Sequence, residues 1–515
     1  MNPFFGKSKC AARAAMALVA VATLLLAVGC GFGGGGTGGG GGGGGGNNGN
    51  FTNASLKGQY AFTLRGVGTP DGVNSFFFVE GGVFTADGNG NLTSVTDDFI
   101  ENFTAGLNIQ ATGTYRINKD GTGDMQFVFG VNNVAQYRIT LSDDSHFYMV
   151  EDEGFNTSAG TGEKQDATAF ASVPSGTFVL QTHDLVAGNS KLGVTTWNAG
   201  QITGTGDVLI GGSGLISPVT ITGTAQAPGS STGRGTVTIV DDTGTSHYVY
   251  YVVNSKKLLV LNTDATSSLG IGRAEAQSGG PFSAASLNGS YVFGSAGETT
   301  FISGIHSVGF FTTNGTGGVT DGNFDFVQDG NPVTNILLNP GSSYTVDANG
   351  RADVKLNLST GLTNEKVMYL VSPSSALFLV NDPINVEDGT VDKQSGTFSN
   401  SSLNGQASFF MDGFDASQSP ALFKDRVGTL TPDGSGSLRT NYRTSFFDGN
   451  NIIGGFSDFT FTGTYAVNGS GVATAQFPGF TGNMVFYLSS TNTGYFLQAD
   501  TGVDMGGSFT KQTGP

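Results

Sequence analysis

Four histidines, two Asp-Thr-Gly triplets and one acidic loop are the residues here whose types suggest chemistry. His146, His183, His247 and His306 fall on different strands or repeats and share no ligand spacing. Without a His-Glu-x-x-His pair or neighbouring thiols they describe no zinc site, and each reads as a strand or surface residue. Asp242-Thr243-Gly244-Thr245 and Asp500-Thr501-Gly502 imitate the aspartic-protease signature. In such enzymes two loops of this kind meet and their carboxylates share a proton. Here they occupy different positions of the repeat described below, so each reads as a turn. Asp87-x-Asn89-x-Asn91, with Asp98 further on, imitates the start of a calcium loop. Its sixth residue is Leu92, where such a loop needs glycine. The same place in the last repeat, Asp433-x-Ser435-x-Ser437, carries less charge. A hairpin turn accounts for both. No cofactor or metal site is expected, and the chain is expected not to be an enzyme. A surface-polymer hydrolase is the weakest reading, since it requires two carboxylates at glycosidase spacing in a cleft.

The elements that would position these residues repeat four times. Leu56-Lys57-Gly58-Gln59-Tyr60, Gly176-Thr177-Phe178, Leu287-Asn288-Gly289-Ser290-Tyr291 and Leu403-Asn404-Gly405-Gln406-Ala407 open the units. Each unit ends with an aspartate after an apolar strand (Asp152, Asp264, Asp382, Asp500) and a later glutamine (Gln165, Gln277, Gln394, Gln512). Five residues before each glutamine stands Gly160, Gly272, Gly389 or Gly507. These aspartates and glutamines are the candidate structural or rim residues. A recurring polar group must find partners, either as a rim hydrogen bond, at a ligand mouth, or tying the last strand to the first. Tyr60, Tyr115, Tyr291 and Tyr465 read as core aromatics with one polar tip.

Turn pairs such as Asp87-Gly88, Asp120-Gly121, Asp433-Gly434 and Asn468-Gly469 punctuate short alternating runs. In the first unit this predicts eight strands near 58–65, 76–86, 91–99, 107–118, 122–130, 133–142, 146–152 and 159–166. Short loops make sequence neighbours pair antiparallel. The fold class is therefore all-β, with units at 54–167, 168–280, 281–395 and 396–515, each an up-and-down eight-stranded barrel that leaves no open edge. The alternative is an immunoglobulin-like sandwich, with about seven strands and often a buried tryptophan. The chain has one tryptophan, Trp197. Strand number, meander order and Gly-x-aromatic in the first strand (Gly58-Gln59-Tyr60, Gly176-Thr177-Phe178, Gly289-Ser290-Tyr291) resemble the calycin group, which includes lipocalins, fatty-acid-binding proteins and avidins. The lipocalin Gly-x-Trp is absent, and the fourth unit has Ala407. The resemblance implies a barrel whose interior is either filled by side chains or holds one small apolar or sugar ligand.

Residues 1–29 carry a basic start (Lys7, Lys9, Arg13) and an apolar run shorter than the ~20 residues of a membrane span. Leu26-Ala27-Val28-Gly29-Cys30 resembles the lipobox of bacterial lipoproteins, with Ala27 where leucine is commonest. That resemblance implies cleavage before Cys30 and lipidation of Cys30, which would be the membrane partner. The other cysteine, Cys10, would leave with the signal. Residues 30–53 form a glycine-rich tether, with fifteen glycines between 31 and 50. As a coil those twenty residues span about 25 Å.

The formal charge of −17 disfavours nucleic acid as a partner. The expected protein is exported and held at the cell envelope, on the outer membrane or cell surface. Its expected role is structural, adhesive or interactive, with a cell-surface polymer or protein as partner. The units are expected to lie as a string, giving reach and avidity. The alternative function is small-ligand binding inside the barrels.

Overall fold

The computed structural model describes residues 50–68, 76–101, 104–131, 133–152, 156–184, 188–265, 268–300, 303–382, 384–415, 417, 422–447, 457–479 and 482–514. The basic start, Cys10, Cys30 and nearly all of the glycine tether lie outside them. Strands run Lys57–Gly68, Phe76–Asp87, Asn91–Glu101, Thr104–Ile117, Thr122–Val128, Val134–Leu141, His146–Glu151 and Asn156–Lys164 in the first unit, within a few residues of expectation. They pair in sequence order, and the eighth closes on the first. The second and fourth units are closed eight-stranded barrels of the same order. The third departs from the expected closed barrel: it is a nine-stranded sheet whose two edges are Asn331–Leu337 and Ser343–Val346, the pieces of a fourth strand broken around Pro340. Proline donates no ladder hydrogen bond, so the strand is interrupted there. Two isolated bridges, Leu338 to Leu358 and Gly318 to Ser343, hold the two pieces in place.

Two recurring glycines explain themselves. Gly58, Gly176, Gly289 and Gly405 start the first strands at φ of +117°, +132°, +112° and +86°, which side chains rarely adopt. At Gly160, Gly272, Gly389 and Gly507 a Cβ would overlap the carbonyl oxygens of Thr63, Gln181, Gly294 and Phe410. The closing strand therefore lies on the first only if that position has no side chain.

The barrel interiors are filled. Tyr60 and Phe84 stack at 5.4 Å in the first barrel, and Phe62 meets Phe127 at 5.6 Å. Trp197 lies between Phe178 and Tyr250 in the second, at 5.8 and 6.2 Å. Phe293 meets Phe378 in the third, and Phe486 meets Phe496 in the fourth. Short 3-10 turns plug one end of barrels one, three and four (Asn53–Ser55, Ala284–Ser286, Asn400–Ser402). Tyr115, Tyr344 and Tyr465 latch them, their hydroxyls donating to the carbonyls of Leu56, Leu287 and Leu403 at 2.7, 2.7 and 2.8 Å. Such packing argues against the expectation that a small ligand sits inside a barrel.

The units do not lie in a string. Apolar side chains on the outer faces join barrel one to two (Ala61, Val79, Val249, Leu261), two to three (Val179, Leu192, Tyr369, Leu379) and three to four (Val292, Phe310, Val485, Leu497). A smaller patch joins four to one, with Phe410 and Val427 against Tyr148, Val150 and Ala159. The four barrels make a closed ring, so the reach expected of extended repeats is absent.

The recurring glutamines clasp every seam in the same direction. The backbone N–H of each donates to the first strand of its own barrel, at Gln59, Thr177, Ser290 and Gln406. The side-chain amide reaches into the next barrel. Gln165 Nε2 donates to Val252 O at 2.6 Å, Gln277 to Leu370 O at 2.7 Å, and Gln394 to Leu488 O at 2.8 Å. Gln512, at the end of the fourth barrel, donates to Leu141 O at 2.7 Å and Asp120 O at 2.9 Å of the first.

Replacing Gln512 with Ala removes the side-chain donor from Leu141 O, at about 1–3 kcal/mol, while Asp120 O keeps its bond from Gln406 Nε2 at 2.8 Å. The fourth seam has the least apolar cover, so Gln512→Ala should cost more than Gln394→Ala in urea denaturation. It should also raise the solution radius of gyration by X-ray scattering. Unchanged stability and radius would show that the clasp does not close the ring.

Candidate functional site: an axial cavity

Each barrel turns its first and last strands toward the ring axis. Those strands close the barrel, so their outward faces from four units surround one cavity of about 520 Å³. One repeat position there carries Arg65 in the first unit, His183 in the second, Ala296 in the third and Asp412 in the fourth. Another carries Glu163, Glu275, Asp392 and Thr510. The seam glutamines are identical in all four units, whereas the axial positions have diverged. Three of the four histidines, His146, His183 and His306, line this cavity. Sequence spacing separated them, but the ring brings them together.

Barrel-to-barrel ion pairs fill much of the wall. Arg65 Nη2 lies 3.0 Å from Asp412 Oδ2, joining barrels one and four. His306 of the third barrel donates through Nδ1 to Asp504 Oδ1 of the fourth at 2.7 Å, and its Nε2 lies 3.7 Å from Asp412 Oδ1. Burial alone would lower the pKa of His306. The bonds and charges of Asp412 and Asp504 outweigh it and raise the value to about 10. Burial would raise Asp412, but Arg65 and His306 hold it well below the usual carboxylate range. Lys257 Nζ meets Glu163 at 2.7 Å across the first seam. Tyr495 donates to Asp392 at 2.5 Å across the third.

Ser190, His183 and Asp388 combine the residue types of an acyl-transfer triad, but not its geometry. Asp388 Oδ2 lies 2.8 Å from His183 Nδ1, and Ser190 Oγ lies 2.9 Å from the same nitrogen. Ser190 also donates to Asp388 at 2.6 Å. A relay requires serine and aspartate on opposite nitrogens of the ring. Here all three close a triangle on Nδ1, and Ser190 is fully buried. The carboxylates converging on the axis are likewise engaged: Glu163 with Lys257, Glu275 with Arg273, Asp388 with His183, Asp392 with Tyr495 and Asp412 with Arg65. Among the described residues no group of three or more His, Cys, Asp or Glu side chains is arranged to hold a metal. Nor is any described helix long and apolar enough to cross a membrane.

The other sequence candidates lie away from the axis. Asp152 accepts from Arg138 Nε at 2.5 Å. Asp264 accepts from the backbone N–H of His247 at 2.8 Å and lies 2.7 Å from its Nδ1. Asp382 accepts from Ile384 N at 2.8 Å and Asn385 Nδ2 at 3.0 Å. Asp500 accepts from Gly482 N, and from Gln498 Nε2 at 2.7 Å. The two Asp-Thr-Gly triplets sit in turns of different barrels. Asp87 and Asp433 cap their hairpins by accepting from backbone N–H groups of Asn89 and Ser435 at 2.6 and 2.8 Å. The side chain of Asn91, with backbone N–H groups, holds Asp87 down at about 2.

The sequence held one unread signal of the ring. Tyr248 to Val253, Val367 to Val371 and Met484 to Leu488 are unbroken apolar runs. A strand covered on one face alternates; one buried on both faces reads as continuous.

No family model matches the sequence, and no curated protein does. Among solved structures, the chain is similar to a double mutant of the vaccine antigen Transferrin Binding Protein B (TbpB) from Haemophilus parasuis Hp5. Identity is 10%, covering 71% of this chain and 82% of that one, with a TM-score of 0.16. A single mutant of the same antigen matches at 10% identity over 73% and 85%, with a TM-score of 0.17. Intact Ap-TbpB, with N and C lobes, matches at 10% over 72% and 85%, with a TM-score of 0.16. Backbones related at these scores do not superpose as wholes, and the likeness carries no functional argument.

The His306 cluster makes stability pH-dependent. The folded pKa lies above the ordinary 6.5 of an unfolded histidine. Its contribution is therefore complete below pH 6.5 and is lost as pH climbs to about 10. Thermal melts of the full chain should fall over that window, and His306→Gln should flatten the dependence. An unaltered slope in the variant would remove His306 from the account.

Proposed function

We propose that this is a lipid-anchored, non-catalytic protein of the bacterial cell envelope with a structural or interaction role. The four-barrel ring would be held off the membrane by the glycine tether, on the outer membrane or cell surface. One observation carries the non-catalytic part of the reading. The axial cavity gathers reactive residue types from all four barrels, yet its carboxylates are engaged by cations, a histidine or a tyrosine, most of them across the seams, and His146 Nδ1 is held by Ser142 Oγ at 3.1 Å. Paired in this way they hold barrels together, and among the described residues no nucleophile and general base face the cavity in relay geometry. The partner is a surface polymer or another protein, met by the outside of the ring rather than by a barrel interior. The anchor rests on the residues before Cys30 and on the tether, which is mostly glycine between 31 and 50.

Mass spectrometry of the protein purified from membranes tests the anchor. The mature chain should begin at Cys30 and carry acyl chains. Cys30→Ala should release the protein into the soluble fraction with the ring's melting temperature unchanged. Unlipidated wild type, or a variant that stays with the membrane, would overturn the localisation.

A further inference from the structure

The seams repeat a lock, and one seam lacks its key. At the first seam Asp98, fully buried, accepts from Tyr251 Oη at 2.6 Å and from the backbone N–H of Asn108 at 2.7 Å. Arg234 adds a two-pronged contact, Nε to Oδ2 at 2.8 Å and Nη2 to Oδ1 at 2.7 Å. At the second seam Asp207 accepts from Tyr369 at 2.7 Å, and from Arg351 through Nε at 3.0 Å and Nη2 at 3.1 Å. Both arginines open the fifth strand of their barrel, directly opposite the tyrosine in register.

At the third seam the same frame stands without the arginine. Asp325, 2% exposed, accepts from Tyr487 Oη and from the backbone N–H of Asn335. Asn335 has the left-handed φ of its counterpart, 60° against 58° at Asn108. Opposite Tyr487, however, stands Val472. A cleft of about 500 Å³ opens there, lined by Asn323, Asp325, Thr334, Asn335, Val472 and Asn483. Asn483 Oδ1 is buried on this cleft without a hydrogen-bond partner. The fourth seam offers no such site. Arg443 takes the place of the aspartate there and is itself paired with Asp458 at 2.8 Å.

We propose that the cleft between the third and fourth barrels binds a guanidinium group, from a free guanidino compound or from an arginine side chain of a partner. The ligand's planar fork would take the position that Arg234 and Arg351 fill at the other seams. Asp325 would accept two parallel N–H bonds, the geometry in which carboxylates hold guanidinium best. The orphaned oxygen of Asn483 supplies a further acceptor on the wall. The volume is within the range of small-ligand sites. Burial raises the pKa of Asp325, against the bonds from Tyr487 and Asn335. An arriving cation would reverse that effect. The site is independent of how the protein is anchored.

Calorimetric titration of the full chain tests this with four probes: agmatine, N-acetylarginine amide, an arginine-containing peptide, and cadaverine as an ammonium control. The guanidinium probes should saturate one site, with cadaverine at least tenfold weaker. Asp325→Asn should weaken agmatine at least tenfold. Val472→Arg should restore the internal arginine, abolish agmatine binding and melt no lower than wild type. A peptide that binds well above agmatine identifies a partner's arginine as the occupant; equal binding identifies a free guanidino compound. Failure of every guanidinium probe to bind the wild type, equal binding of cadaverine, or unimpaired binding by a folded Val472→Arg chain would each overturn the site.

Discussion

A single side-chain amide, placed at the end of each barrel and donated to the next, is the constraint on which the ring depends. The carbonyls of Val252, Leu370, Leu488 and Leu141 lie where one sheet meets another. Buried backbone acceptors need a donor. A glutamine side-chain amide reaches them from the neighbouring barrel, and its own backbone N–H stays in its own sheet. One residue thus serves two units. Because every clasp points from one barrel to its successor, the contacts form a cycle, and the last one finds its acceptor on the first barrel.

Once the ring closes, the rest follows from which strands face inward. The strands that complete each barrel are also those at the axis, so barrel closure and cavity formation use the same pieces of chain. The closing glycine lets the two strands approach, and the positions beside it then point to the axis. There the four units differ, with Arg65, His183, Ala296 and Asp412 at one shared position. Ion pairs such as Arg65 with Asp412, and Lys257 with Glu163, cross from one barrel to another. Removing one partner of such a pair leaves a half-buried charge without its counter-charge. The wall is therefore specific to this order of units.

The barrels were legible because their signals are local. Asp87-Gly88 and Asn468-Gly469 fix hairpins within a few residues, and alternation along Gly113 to Ile117 sets the inward face. The interrupted strand of the third unit had its proline in view at Pro340. The ring was not legible, because a seam joins residues separated by far more chain than any period covers. Gln512 reaches Asp120 across 392 positions of the chain. His183 and Asp388 meet from different units, and nothing in the spacing of either predicts the other. The recurrence of the glutamines was visible, but the direction in which their side chains reach depends on packing that only folding decides.

Phe51, where the first barrel begins, donates its backbone N–H to Lys119, and Gln512, where the fourth barrel ends, donates to Asp120. Head and tail of the folded chain thus arrive at the same hairpin. The polypeptide is nearly a loop already, and the peptide link between any two barrels is no more essential to the architecture than the one missing between the last and the first. Splicing the ends and opening another junction would leave the same object with a different starting point, and would carry the tether to whichever barrel then came first.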